Sequence, residues 1–198
     1  MNTTTTDTDT ATAVLVDRLW SIHQIQQLAY RFAQAHDGRD MAELERLFVP
    51  AAELLDFPEF NQANVLSTLP EYFRFAGPTV LFVANHIIDF VDNDRATGSV
   101  YCFAKLDIGG VWVEQAIQYQ DIYQREPDGW RFAMRRHLLW YGIEQADRPF
   151  DQPKTQWPAG ATGRGSLPED FATWRDFYGI TEAPIGFYGQ PDTETTFS

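Results

Sequence analysis

The chain has 198 residues, 44% of them hydrophobic and 15% aromatic, which is enough for one domain with a substantial core. Its formal net charge of −13 argues against nucleic-acid and anionic-membrane binding, both of which need basic surface. A single cysteine, Cys102, rules out an intramolecular disulfide; with no signal peptide apparent and no apolar run near the ~18 residues of a membrane span, the chain reads as cytoplasmic.

Residues 1–12 are low-complexity and threonine-rich, and read as a disordered tail. Over 13–36, apolar residues from Val16 to Ala33 recur at helical spacing, with Gly38 placed to stop the helix. Asp40 and Glu43 form a capping-box pattern that opens a short second helix to about Phe48. Residues 53–57 suggest a short strand between Pro50 and Pro58. Residues 61–75 suggest a third helix with Pro70 in its first turns. Four long apolar stretches follow, at 79–92, 95–108, 110–126 and 129–142. The turns between them are rich in Asp, Asn, Gly and Pro. The expected fold class is α+β, a curved antiparallel meander wrapped around the long first helix.

Beyond residue 143 the chain turns rich in proline and glycine, so 13–143 reads as the domain and 144–198 as an extension. Within it, Ser166 and Glu169 suggest a cap for a short helix carrying Phe171, Trp174, Phe177 and Tyr178 and ending at Gly179. That helix is expected to pack on its own subunit or to act as a lid or a subunit-swapped arm.

The stretches HDGRD, ELERLFVPAAELLDF, NDRATGSVY and YQDIYQREPDGWRFAMRR, in this order and spacing, resemble the SnoaL-like branch of the nuclear transport factor two-like superfamily over about residues 17–143. The resemblance implies a cone-shaped fold. Its members include dehydratases, a dehydrochlorinase, lyases that release formaldehyde, an isomerase and non-catalytic subunits, so fold alone does not select a reaction. In the eliminating members an aspartate of the first helix partners a histidine of the first long strand. Asp37 matches the aspartate, Leu81 stands near the histidine position, and Ala104 stands where one member has a strand aspartate. Arg135 matches an arginine of the last strand.

Strand alternation extends this match to the neighbouring positions. With Arg135 inward, His137, Leu139 and Tyr141 share its face. Cys102 and Ala104 are expected inward on the second long strand, Gln115, Ile117 and Tyr119 on the third, and Asp56 on the short strand. His137 is the candidate proton-transfer group, since imidazole titrates near neutrality. Asp37 and Arg135 are its candidate partners, and Tyr119 a candidate donor to a substrate oxygen. Tyr30, seven residues before Asp37, shares its helical face. With Asp56, Leu81, Cys102, Gln115, Ile117 and Tyr141 it completes the expected substrate-binding set. His36 is placed on another helical face from Asp37, and His86 on a strand of undetermined phase. No His, Cys or carboxylate spacing matches a metal motif, and no cofactor is implied.

The leading functional expectation is a cofactor-independent lyase. It would eliminate water or a small carbonyl fragment such as formaldehyde from a hydroxylated, aromatic small molecule. A non-catalytic subunit or ligand-binding module, and an isomerase or hydrolase on the same scaffold, are the alternatives. An enclosed cavity reaching Asp37 and His137 would favour the enzyme, and a plugged cone the subunit. The outer sheet face, with Trp112, Leu138 and Trp140, is expected to be apolar and to mediate a homodimer or homotrimer.

Overall fold

The computed structural model describes residues 3–50, 59–155 and 160–181. Among the described residues, four α-helices, α1 (Thr3–Gly38), α2 (Met41–Arg46), α3 (Gln62–Phe75) and α4 (Ala172–Tyr178), accompany five strands. The strands are β1 (Glu59–Phe60), β2 (Ala76–Phe90), β3 (Arg95–Ile108), β4 (Val111–Glu126) and β5 (Gly129–Glu144). They form one antiparallel sheet in the order β1-β5-β4-β3-β2. Helix α1 touches both β2 and β5, which lie on opposite sides of the four-strand meander. Its backbone comes closest to these outer strands rather than to the middle pair, β3 and β4, so the sheet curls around α1, as the sequence predicts.

The core fills the inside of that curl. Ile25, Ala29 and Phe32 of α1 meet Val100, Cys102 and Ala104 of β3, Ile117, Tyr119 and Tyr123 of β4, and Phe132 of β5, all buried. These strand residues alternate as a period of two requires.

Several boundaries differ from the sequence expectation. Helix α1 begins at Thr3 rather than near residue 13: a helix once nucleated extends cheaply, and residues 3–12 hold no glycine or proline to stop it. It also runs through Gly38, and the left-handed residue is Arg39, with φ of 56°. An added Cβ at Gly38 would lie 3.4 Å from Thr173 Oγ1, an ordinary contact, where α4 meets the end of α1. Pro70 lies in the ninth position of α3, not its first turns. The carbonyl it frees belongs to Leu66, a residue 43% exposed, where water can take over the lost bond. Asp40 caps α2 as expected, accepting from Glu43 N at 2.9 Å, and Asn61 caps α3, accepting from Asn64 N at 3.0 Å. The strand expected at 53–57 lies outside the described residues.

The extension begins by crossing the sheet's outer face. Phe150 packs on Trp112 with ring centroids 5.6 Å apart, and Arg148 donates to Asp107 at 2.8 Å. Trp112 is therefore buried rather than part of an exposed face. The cap expected from Ser166 and Glu169 does not form, because α4 starts only at Ala172 and Glu169 pairs with Arg164. Helix α4 then packs on its own chain. Thr173 donates to Gly38 O at 2.6 Å, Tyr178 donates to Phe73 O at 2.5 Å, and Trp174 is buried.

Candidate active site

Inside the mouth of the cone lies a cavity of ≈ 270 Å³. Its walls come from every layer: Phe32 and His36 of α1, Phe60 of β1, Thr68, Leu69 and Tyr72 of α3, Leu81 of β2, Ala104, Leu106 and Ile108 of β3, Gln115, Ile117 and Tyr119 of β4, and His137 of β5. Most of this surface is apolar, and no charged side chain lines it among the described residues. Its polar groups are two histidines, two tyrosines, one glutamine and one threonine.

Five of the residues singled out from sequence sit on this wall: His137, Tyr119, Gln115, Ile117 and Leu81. The cross-strand register explains the clustering, since Leu81 pairs with Ala104, and Ala104 with Gln115. His137 pairs with Tyr119, and their rings meet edge to face at 5.7 Å. Burial pushes the His137 pKa below the usual imidazole value, and the neighbouring His36 lowers it further. Burial raises the Tyr119 phenol, so it remains a neutral hydrogen-bond donor.

Asp37 and Arg135 stand apart from the cavity wall, each committed to another partner. Asp37 Oδ1 accepts from Thr79 Oγ1 at 2.9 Å, and its Oδ2 accepts from Leu81 N at 2.9 Å. The carboxylate thereby stitches the end of α1 to β2. Arg135 is fully buried. Its Nε and Nη2 both donate to Asp121, each at 2.8 Å, and its guanidinium stacks over Phe32, Tyr119 and Phe132. Tyr123 also donates to Asp121, at 2.7 Å, and His86 Nε2 meets the Tyr123 hydroxyl at 2.9 Å. A buried four-residue network thus absorbs the arginine. Burial depresses the His86 pKa to about 4, leaving that ring neutral near pH 7.

The remaining expected residues fall elsewhere. Cys102 points inward but is sealed in the core, and burial raises its thiol to about 12, which makes it inert. Tyr30 is 43% exposed. It lies two residues from both Leu28 and Phe32, which is about 200° around the helix from each core-facing neighbour. Tyr141 faces outward because β5 carries a bulge at Trp140: Leu139 pairs with Ile117, but Tyr141 pairs with Ala116. The extra residue flips the inward phase beyond it. Asp56 lies outside the described residues.

His36 is the main residue that sequence reasoning set aside. It follows Phe32 by four positions, and that spacing is the signal that would have turned it inward. It packs edge-on against Phe73 at 4.8 Å and lines the cavity. Its Nδ1 lies 3.2 Å from Thr79 Oγ1 and 3.7 Å from Asp37 Oδ1. Burial lowers its pKa, against the opposing pull of Asp37. Arg39, also passed over, is buried between Phe73 and Trp174. It donates to His36 O at 2.7 Å, Thr79 Oγ1 at 3.0 Å and Gly77 O at 2.6 Å.

Residues 17–136 match the SnoaL-like domain. The chain belongs to that family. An uncharacterized protein of Mycobacterium tuberculosis is 31% identical over 137 residues, covering 62% of this chain and 85% of the relative. Among solved structures, the dehydrochlorinase LinA superposes with a TM-score of 0.63 at 22% identity, covering 70% of this chain and 98% of that one. A protein of Novosphingobium aromaticivorans, described as NTF2-like with a cystatin-like fold, gives a TM-score of 0.54 at 20% identity, over 66% and 89% of the two chains. At these identities the structural likenesses establish the fold of this SnoaL-like protein.

Proposed function

We propose that this SnoaL-like protein is a cofactor-independent lyase. Its reaction is the elimination of water, or of a small carbonyl fragment such as formaldehyde, from a compact, uncharged, hydroxylated aromatic molecule. The observation that carries this reading is the pair of half-buried histidines, His36 and His137, on the wall of a largely apolar cavity. Burial holds both pKa values below the ordinary imidazole value. Neutral imidazole can take a proton from carbon, and its conjugate acid can return one to a departing oxygen. The cavity volume lies near the small end of the range of about 300–1,000 Å³ usual for ligand pockets, which favours a substrate of few rings. Without a charged wall residue among those described, a carboxylate or phosphate on the substrate would be desolvated without compensation.

The dehydrochlorinase and dehydratase names among the structural relatives support chemistry of this kind on this scaffold. Against a bare assembly role stands the cavity itself, which such a subunit has no need to keep open. The sheet's exposed outer face supports a homo-oligomer, and the low cysteine content a cytoplasmic location.

The test is turnover of a panel of aryl-substituted alcohols and β-hydroxy ketones, followed by mass spectrometry for loss of water or formaldehyde. His137→Ala should slow a positive reaction by about 10²- to 10⁴-fold with the fold intact. Saturable ligand binding with no product from any panel member would instead make this a binding module.

A further inference from the structure

We propose that His36 is the general base of this cavity, with its Nε2 lone pair held toward the substrate by a hydrogen-bond relay through Thr79 to Asp37. This deepens the lyase reading and rests on it.

Hydrogen-bond accounting carries the assignment. The Thr79 hydroxyl has one hydrogen. Asp37, ionised, can only accept, and its Oδ1 at 2.9 Å takes that hydrogen. Arg39 can only donate, and its Nη1 reaches Thr79 Oγ1 at 3.0 Å. His36 Nδ1 lies 3.2 Å from the same oxygen. With the hydroxyl hydrogen already committed, that contact is a hydrogen bond only if Nδ1 carries the proton. A neutral ring protonated at Nδ1 is bare at Nε2, the nitrogen left for the cavity that His36 lines. Leu81 N, donating to Asp37 Oδ2 at 2.9 Å, fixes the carboxylate at the far end. Asp37 therefore acts as a positioning residue: it never reaches substrate, but it selects the tautomer of the ring that does. When the ring becomes positive, the carboxylate oxygen 3.7 Å from Nδ1 stabilises it.

His36 Nε2 takes the proton from the carbon adjacent to the C–O bond. The C–H electron pair becomes the new C=C bond, and the C–O pair leaves with the oxygen. Protonated His137 on β5 gives that oxygen its proton, and water departs. His36 is left as imidazolium and His137 neutral, and exchange with solvent restores both. The groups around His36 are Asp37 and Arg39 at the end of α1, Tyr72 on α3, Thr79 on β2 and His137 on β5. Both histidine pKa values are displaced downward, so the rate should be bell-shaped with its maximum on the acid side of the usual imidazole value of about 6.5.

The first measurement needs no substrate. Long-range proton–nitrogen correlation spectra of the ¹⁵N-labelled full chain should show His36 protonated at Nδ1 and bare at Nε2. That pattern should persist in Thr79→Ser, which keeps the hydroxyl, and be lost in Thr79→Val. A His36 protonated at Nε2 in the wild type overturns the proposal. The second uses any substrate that the panel above supplies. His36→Gln should lower kcat by about 10²- to 10⁴-fold, and Thr79→Val should move the acid limb of the pH profile while Thr79→Ser leaves it in place. Should His36→Gln fold poorly, the Thr79 pair makes the same test. Wild-type turnover in His36→Gln defeats the base assignment but spares the lyase. The expected tautomer with no turnover of any compound defeats the lyase reading and leaves the relay standing.

Discussion

Arg135 and Asp121 place two opposite charges in a shell of aromatic rings with no exposed side-chain surface on either partner. Such a pair roughly offsets its own desolvation, but removing one member leaves the other charge stranded. Arg135→Ala should therefore cost about 3–5 kcal/mol, read as a lower urea midpoint. The molecules that remain folded should keep most of their kcat, because the guanidinium does not line the cavity. A large loss of kcat at unchanged stability would return Arg135 to the chemistry. The inward orientation of Arg135 follows from its match to the family's last-strand arginine, and strand alternation extends it only to the neighbouring positions. Its partner was equally within reach: the parity that turns Gln115, Ile117 and Tyr119 inward, carried two residues further, reaches Asp121. Asp37 was read from the family match as a partner of His137, and its bonds to Thr79 and Leu81 were not legible, since no pattern within α1 reports which strand residue will lie beside it.

At the level of elements, the four long strands are legible because tight turns bound them and their apolar residues alternate; β3 matches the expected 95–108 to the residue. What alternation hides is the bulge. One extra residue at Trp140 turns Tyr141 outward, and a register shift between Ala84 and His86 accompanies Asn85, whose φ is 24°. Bulges leave little trace in composition, so inward sets read from sequence hold only up to the nearest one. Helix α4 is legible by its aromatic stripe, but its role is not. It contributes no wall to the cavity. It closes over Arg39, which Trp174 and Phe73 sandwich and which in turn donates to Thr79. Trp174→Ala should thus destabilise the domain by about 3–5 kcal/mol, the range for a buried large aromatic. It should also disturb the His36 resonances by nuclear magnetic resonance, although it does not line the cavity. A lower urea midpoint with unchanged His36 signals would confine α4 to global stability and detach it from the site.

Over the whole molecule, the same sheet that wraps α1 presents its other face to solvent, and the register shows that this face is continuous. Phe82 pairs with Phe103, Phe103 with Ala116, and Ala116 with Tyr141, making one row across four strands. Tyr101 lies in the next row, with Trp140 against it at 6.1 Å between ring centroids. Phe82 is 63% exposed, Phe103 50% and Trp140 66%. An apolar surface this contiguous is uncommon on a monomer and favours association. The opposing term is charge, since each copy carries −13 and two copies repel at long range. Salt screens that repulsion and leaves burial of the aromatic row nearly untouched. Self-association should therefore strengthen between about 10 and 300 mM salt, where the screening length falls from about 30 Å to well under 10 Å. Trp140→Glu should weaken it by placing a charge in the row. Light scattering at micromolar concentration reads both effects. A particle that stays monomeric at every salt concentration would mean that the face is solvated in the native protein and that its aromatic residues do not mediate assembly.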